Sequence, residues 1–249
     1  MNLHFIAKGS LSVFLLAALS SCSVFDTAPA APSGYNPSTA PMTTRAAFLR
    51  QSWVAETYRG RPVKDQFKSV YIAPVNTRYM AEQTWWQQQG ERKNVLQSDT
   101  RQLAERMRAE FNQALASYPG DHIPPAAGPG PGVLVIELAL VELVPSKAYW
   151  NAGATAAGLV VPGAGLLSAA GRGSIAIEGR LRDGGTGEII ATFADRRADK
   201  VAPVNLGSYS WYHGAEGNIA DWASEFAELL NTNPGHVVNR PKSVTLKPW

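Results

Sequence analysis

The apolar positions of this chain follow two periods. Over residues 99–117, Leu103, Met107, Phe111 and Leu115 recur every fourth position, with Ala104 and Ala114 beside them. That is the apolar stripe of an amphipathic helix. Ser98 or Asp99 can cap its start, and Pro119-Gly120 ends it. Residues 216–231 repeat the pattern through Ile219, Trp222, Ala223, Phe226, Leu229 and Leu230. Both stripes predict helices that bury one face in a core.

Elsewhere the period is two. Residues 69–75 carry Val70, Tyr71 and Ile72 and close on Pro74, a first strand. Over 133–143, Leu134, Ile136, Leu138 and Leu140 fall on one face and Val133, Val135, Ala139 and Val141 on the other. Apolar residues on both faces predict a central strand covered on both sides. Glu137 interrupts one face, either as a poised acid or, the commoner case, as a hydrogen-bonded strand carboxylate. Ile175, Ile177 and Leu181 alternate with Ser174, Glu178, Arg180 and Arg182. Asp183-Gly184-Gly185-Thr186-Gly187 then turns the chain, and Ile189, Ala191 and Phe193 return. This predicts an antiparallel hairpin with a turn longer than two residues. The expected fold is α/β (α+β): a mixed sheet of about four strands packed with two main helices, in the order strand-helix-strand-hairpin-helix. Residues 45–67 mix Phe48, Leu49, Trp53, Val54 and Tyr58 with cations, and read as an edge segment covering the core.

The N-terminus follows neither period. Lys8 is the only charge of the first ten residues, an apolar run of roughly ten residues follows, and Leu19-Ser20-Ser21-Cys22 closes it. The run is shorter than the about 20 residues a spanning helix needs. An ordinary secretory signal would cut after small residues at both −3 and −1, and Leu19 fits that poorly. Leucine, two small residues and cysteine form instead the lipobox, where a bacterial chain is cut just before a cysteine that carries acyl groups such as palmitate. Cys22, the only cysteine, is therefore the expected lipid-attachment site. Ser23 stands where an aspartate would retain the protein in the inner membrane, which favours the periplasmic face of the outer membrane. One acyl chain holds only marginally, and several hold effectively permanently.

This reading sets the domain plan. Residues 1–21 are the lipoprotein signal peptide. Residues 22–44, rich in Pro, Ala, Ser and Thr, form a flexible tether, unless its end packs on the domain through Tyr35. Residues 45–231 form the globular α/β domain, and 232–249 a proline-punctuated basic tail whose Val244-Thr245-Leu246 could add an edge strand.

Two stretches leave alternatives open. Residues 148–171 carry no charge and many small residues, and Pro162-Gly163 divides them into halves too short to span a bilayer. They suit packing on the sheet, a contact between subunits, or contact with lipid. Trp85-Trp86 suits a glycan or partner site, or a loop with one ring buried.

Charge and chemistry narrow the function without naming it. The chain carries 23 basic and 20 acidic residues, intermixed, for a net charge of +3. Loss of Lys8 with the signal leaves +2. Such a surface has no footprint for nucleic acid. With Cys22 acylated no thiol remains for a disulfide. His4, His122, His213 and His236 are scattered and form no zinc-type pairing. No nucleophile elbow is present, and the glycines of 183–187 lack the lysine and helix of a phosphate loop. No catalytic residue, cofactor or metal is expected.

The segment Gly171-Arg172-Gly173-Ser174-Ile175-Ala176-Ile177-Glu178-Gly179-Arg180-Leu181-Arg182-Asp183, then Thr186-Gly187-Glu188-Ile189-Ile190-Ala191 and Phe193-Ala194-Asp195-Arg196-Arg197, resembles a family of Gram-negative outer-membrane lipoproteins of unknown function. The resemblance runs from about Phe67 to Leu230. More distantly, the element order is similar to the α/β domains of the Tol translocation protein's N-terminal part and the curli secretion lipoprotein. It implies no activity, and it implies that Asp183, Thr186, Gly187 and Glu188 fix a turn rather than bind a ligand. The expected function is a non-enzymatic structural or accessory subunit of an envelope complex, held to the membrane by its lipid. The partners would be envelope proteins or further copies of the chain. A self-assembling secretion or transport subunit using 148–171 is the alternative, and an envelope-polymer hydrolase a third reading without a supporting constellation.

Overall fold

The computed structural model describes residues 30–37, 48–80, 90, 93–144, 173–199 and 212–240. Cys22, Trp85, Trp86, the uncharged segment 148–171 and the end of the tail with Val244-Thr245-Leu246 lie outside the described residues.

The described strands are β1 (Gln51–Val54), β2 (Ser69–Ile72), β3 (Val133–Val144), β4 (Ser174–Asp183) and β5 (Ile189–Ala198). They form one five-stranded sheet in the order β1-β5-β4-β3-β2. About four strands were expected. The additional one is β1, which lies antiparallel on the outer edge of β5 with Trp53 opposite Thr192. Four residues are too few to display a period, which is why the segment reads only as an edge cover. β2 runs parallel to β3, and the helix α1 (Lys93–Ala116) lies between them in sequence, since a parallel pair needs a long crossover. β4 and β5 form the predicted hairpin.

Both helices, α1 and α2 (His213–Asn231), cover one face of the sheet. Leu103, Met107, Phe111 and Leu115 of α1 meet Ile219, Trp222, Phe226 and Leu230 of α2 over Leu134, Ile136, Leu138, Leu140, Ile175 and Ile177. Phe226 is the hub, with ring centroids 4.8 Å from Phe193, 5.1 Å from Phe48 and 5.5 Å from Phe111. Phe193 lies directly over Gly179, where a Cβ would stand 2.1 Å from its ring. α1 begins six residues before the expected position 99, because Leu96 extends the stripe and the Thr100 hydroxyl donates to the Leu96 carbonyl at 2.8 Å.

β3 carries a bulge between Leu140 and Glu142. A strand alternates faces strictly, so Glu142 would otherwise follow Leu140 into the helix-covered core. The extra residue reverses the alternation. Leu143 then joins the core and Glu142 turns to the opposite face, opposite Ala176.

Candidate functional site

Two groups of buried charge and one apolar cavity are built into this frame. The first group sits on the sheet face away from the helices. Glu137 of β3 pairs with Arg180 at 3.3 Å and Arg182 at 3.2 Å on β4. It is therefore a hydrogen-bonded strand carboxylate. Next to it Glu178, only 4% exposed, accepts the backbone N–H groups of Ser33 at 2.7 Å and Asn36 at 3.1 Å. The Asn36 amide also donates to the Phe193 carbonyl at 2.9 Å. Tyr35, between them, is buried beneath the Arg180 guanidinium, 4.1 Å from its ring centroid, and edge-on to Tyr79. Burial raises the Tyr35 pKa despite Arg180 beside it. Residues 30–37 are thus clamped to the sheet through Tyr35, the contact the sequence offers for a tether that ends on the domain. On the same face Glu142 accepts from Arg196 Nε at 2.7 Å and from the Ser174 hydroxyl at 2.6 Å.

The second group lies between the sheet and α2. Asp195 of β5 has a side chain 0% exposed. Its Oδ2 accepts from Trp222 Nε1 at 2.7 Å and Arg197 Nε at 2.9 Å. Its Oδ1 accepts from Arg240 Nη2 at 2.6 Å and the Arg50 backbone N–H at 3.2 Å. Arg240 also donates to the Phe48 carbonyl at 2.8 Å, and Val238 is buried. The tail expected from residue 232 therefore stays on the domain as far as residue 240. Arg197 lies over the Trp222 ring and donates through Nη2 to Glu225 Oε2.

Burial raises the Glu225 pKa from 4.5 to about 7; the Arg197 hydrogen bond and charge oppose this, while Asp221 and Asp195 add to it. Glu225 Oε1 has no hydrogen-bond partner among the described residues, as suits a carboxyl that desolvation keeps protonated. The folded chain then binds this proton more tightly than the unfolded chain, so stability falls as pH rises. The contribution is fully present below about pH 4.5 and lost as pH climbs through about 7. That shift corresponds to about 3 kcal/mol. Glu225→Gln should remove this slope from thermal unfolding measured between pH 5 and 8, and an unchanged slope would assign it to another group.

The cavity, of about 300 Å³, opens on the helix side of the sheet at the hairpin end, beside β1. Leu134, Leu181, Ile190 and Phe193 line the sheet side, with Phe226 and Leu229 from α2. Trp53, Tyr58, Val63 and Phe67 line it from β1 and the segment that follows it.

The turn residues behave as the sequence suggests. Asp183 Oδ1 accepts the N–H groups of Gly185 at 2.7 Å and Thr186 at 3.0 Å, and Thr186 Oγ1 accepts that of Glu188 at 3.2 Å. Gly187 adopts a φ of 77°, a left-handed position that favours glycine. These hydrogen bonds hold the turn. Among the described residues no group of three or more His, Cys, Asp or Glu side chains could hold a metal ion. No described helix is long and apolar enough to cross a membrane. The sequence reading missed the Asp195 group. The available signal was three consecutive charges, Asp195-Arg196-Arg197, in a strand of otherwise apolar pattern, because charges on both faces of an inner strand must be paired.

The family described as protein of unknown function (DUF3313) matches residues 56–226. No curated protein matches the chain. Among solved structures, a PelC dodecamer from Paraburkholderia phytofirmans is similar at 9% identity and a TM-score of 0.37, over 70% of this chain and 94% of that one. A variant PelC dodecamer from the same organism, in another crystal form, gives 9% identity and a TM-score of 0.35 over 77% and 95%.

Proposed function

The chain belongs to the DUF3313 family, and from that premise we propose that it is a lipid-anchored lipoprotein of the outer membrane, facing the periplasm. It acts there without catalysis, as a structural or accessory subunit of an envelope complex. The observation that carries this reading is Leu19-Ser20-Ser21-Cys22 at the end of a short apolar run. Two further features support it. The carboxylates Glu137, Glu142, Glu178 and Asp195 each accept bonds that hold strands or segments together. The clamp at Ser33–Asn36 also limits how far the domain can stand from Cys22. Ten residues, Ser23 to Pro32, separate Cys22 from Ser33, whose backbone N–H Glu178 holds, a span of at most about 30 Å when extended. A domain on so short a lead works close to the membrane surface and with its clamped sheet face nearest the anchor.

The test is metabolic labelling with an alkyne-tagged palmitate in a Gram-negative host, followed by separation of inner and outer membranes. The wild-type chain should take up label and sediment with the outer membrane. Cys22→Ala should take up none and remain unprocessed or soluble. Label retained by Cys22→Ala would overturn the assignment.

A further inference from the structure

The core is not closed at the hairpin end, and the opening has the character of a ligand site. Folded interiors leave few voids larger than a water molecule, whereas the cavity beside β1 measures about 300 Å³. Small-molecule sites start at about this size and are lined mainly by apolar and aromatic side chains with a few polar groups. Here the interior surface is apolar: Leu134, Leu181 and Phe193 on the sheet side, Phe226 and Leu229 from α2, Trp53 and Tyr58 opposite. The charged groups that line it are of one sign. Arg59, Arg61 and His236 line the cavity, and no carboxylate does so among its described lining residues. Arg59 and Arg61 are both exposed. Among the described residues Arg59 donates only its Nε, to the Val54 carbonyl at 2.9 Å, so its terminal nitrogens can face a ligand. His236 is tied to Glu228 at 2.5 Å and so is the weaker of the three as an anion contact.

From this we infer that the cavity binds an amphiphilic anion: a single alkyl chain lying on Leu181, Phe193 and Leu229, with a carboxylate or phosphate head at Arg59 and Arg61. The inference is independent of Cys22, because every residue it uses belongs to the folded body. It concerns binding only and involves no bond making or breaking.

Titration calorimetry tests it, using the full chain with Cys22→Ser, which keeps attached acyl groups out of the assay. The probes are dodecanoate, dodecyl phosphate and, with the opposite charge, dodecyltrimethylammonium, each below its micellar concentration. At least one anion should bind saturably at one site, at least about tenfold more tightly than the cation, a margin of about one power of ten in Kd. The tighter of the two anions identifies the head group. Ala191 lines the cavity and lies opposite Leu181 on β4 and Val54 on β1. Ala191→Phe should fill the space, keep the thermal midpoint and abolish binding. Arg61→Glu, at an exposed position, should leave folding unchanged and weaken the anions about tenfold. It serves as the deciding variant if Ala191→Phe does not fold. Absence of saturable binding of either anion, equal binding of the cation, or full affinity in Arg61→Glu would each overturn the proposal.

Discussion

Asp195→Ala is expected to lower the stability of the domain by about 3–5 kcal/mol, the usual cost of removing one partner from a buried ion pair. Four donors converge on this carboxylate: Trp222 Nε1, Arg197 Nε, Arg240 Nη2 and the Arg50 N–H. Alanine leaves the buried guanidinium of Arg197 with Glu225 as its main acceptor, and burial raises the Glu225 pKa to about 7, so that its charge is only partly present near neutral pH. It also frees the hold that Arg240 gives to residues 232–240. A loss of that size is a large share of the roughly 5–15 kcal/mol by which a domain is stable. The urea midpoint should therefore fall steeply at an unchanged slope, the sign that stability alone has changed. A change under about 1 kcal/mol would mean that the remaining partners rearrange around the gap and that Asp195 is not the joint between β5, α2 and the tail.

The second large effect is expected at Trp222, which is 0% exposed at the centre of the face α2 turns to the sheet. Trp222→Ala should cost about 3–5 kcal/mol through the void it leaves. It also removes one donor to Asp195 and the ring beneath Arg197. Because Trp222 and Asp195 share a hydrogen bond, the two losses should not add. The double variant should be more stable than the sum of the single losses predicts, as read from the same urea unfolding curves. Strict additivity would show that the 2.7 Å bond between them contributes nothing to stability.

The helices and the hairpin were legible because each repeats a period over enough residues to display it. Leu103, Met107, Phe111 and Leu115 all reach the core, as does the face of β3 that carries Leu134 to Leu140. The end of that strand could also have been read. The apolar phase switches between Leu140 and Leu143, and only an extra residue reconciles the two. β1 was not legible, since Gln51–Val54 gives only two positions per face and its buried member there is Ser52. The charged groups were not legible for a different reason. Glu142 and Arg196 stand 54 residues apart, and Glu178 and Ser33 stand 145 apart. No local pattern pairs them; the fold does, by placing β3, β4 and β5 side by side. The cavity escaped in the same way, because its lining comes from β1, β4, β5 and α2 at once. Cys22 is the reverse case, since its proposed role is written entirely in four adjacent residues and needs no fold to be recognised.

That role is the centre of the account, and the mass of the mature N-terminus tests it most directly. The protein should be extracted from outer membranes, digested, and its first peptide weighed and fragmented. The predicted peptide begins at Cys22, with a diacylglyceryl group on sulfur and an acyl chain on the amino group. A membrane-extracted chain that begins at any other residue, or that begins at Cys22 without acyl groups, would contradict it.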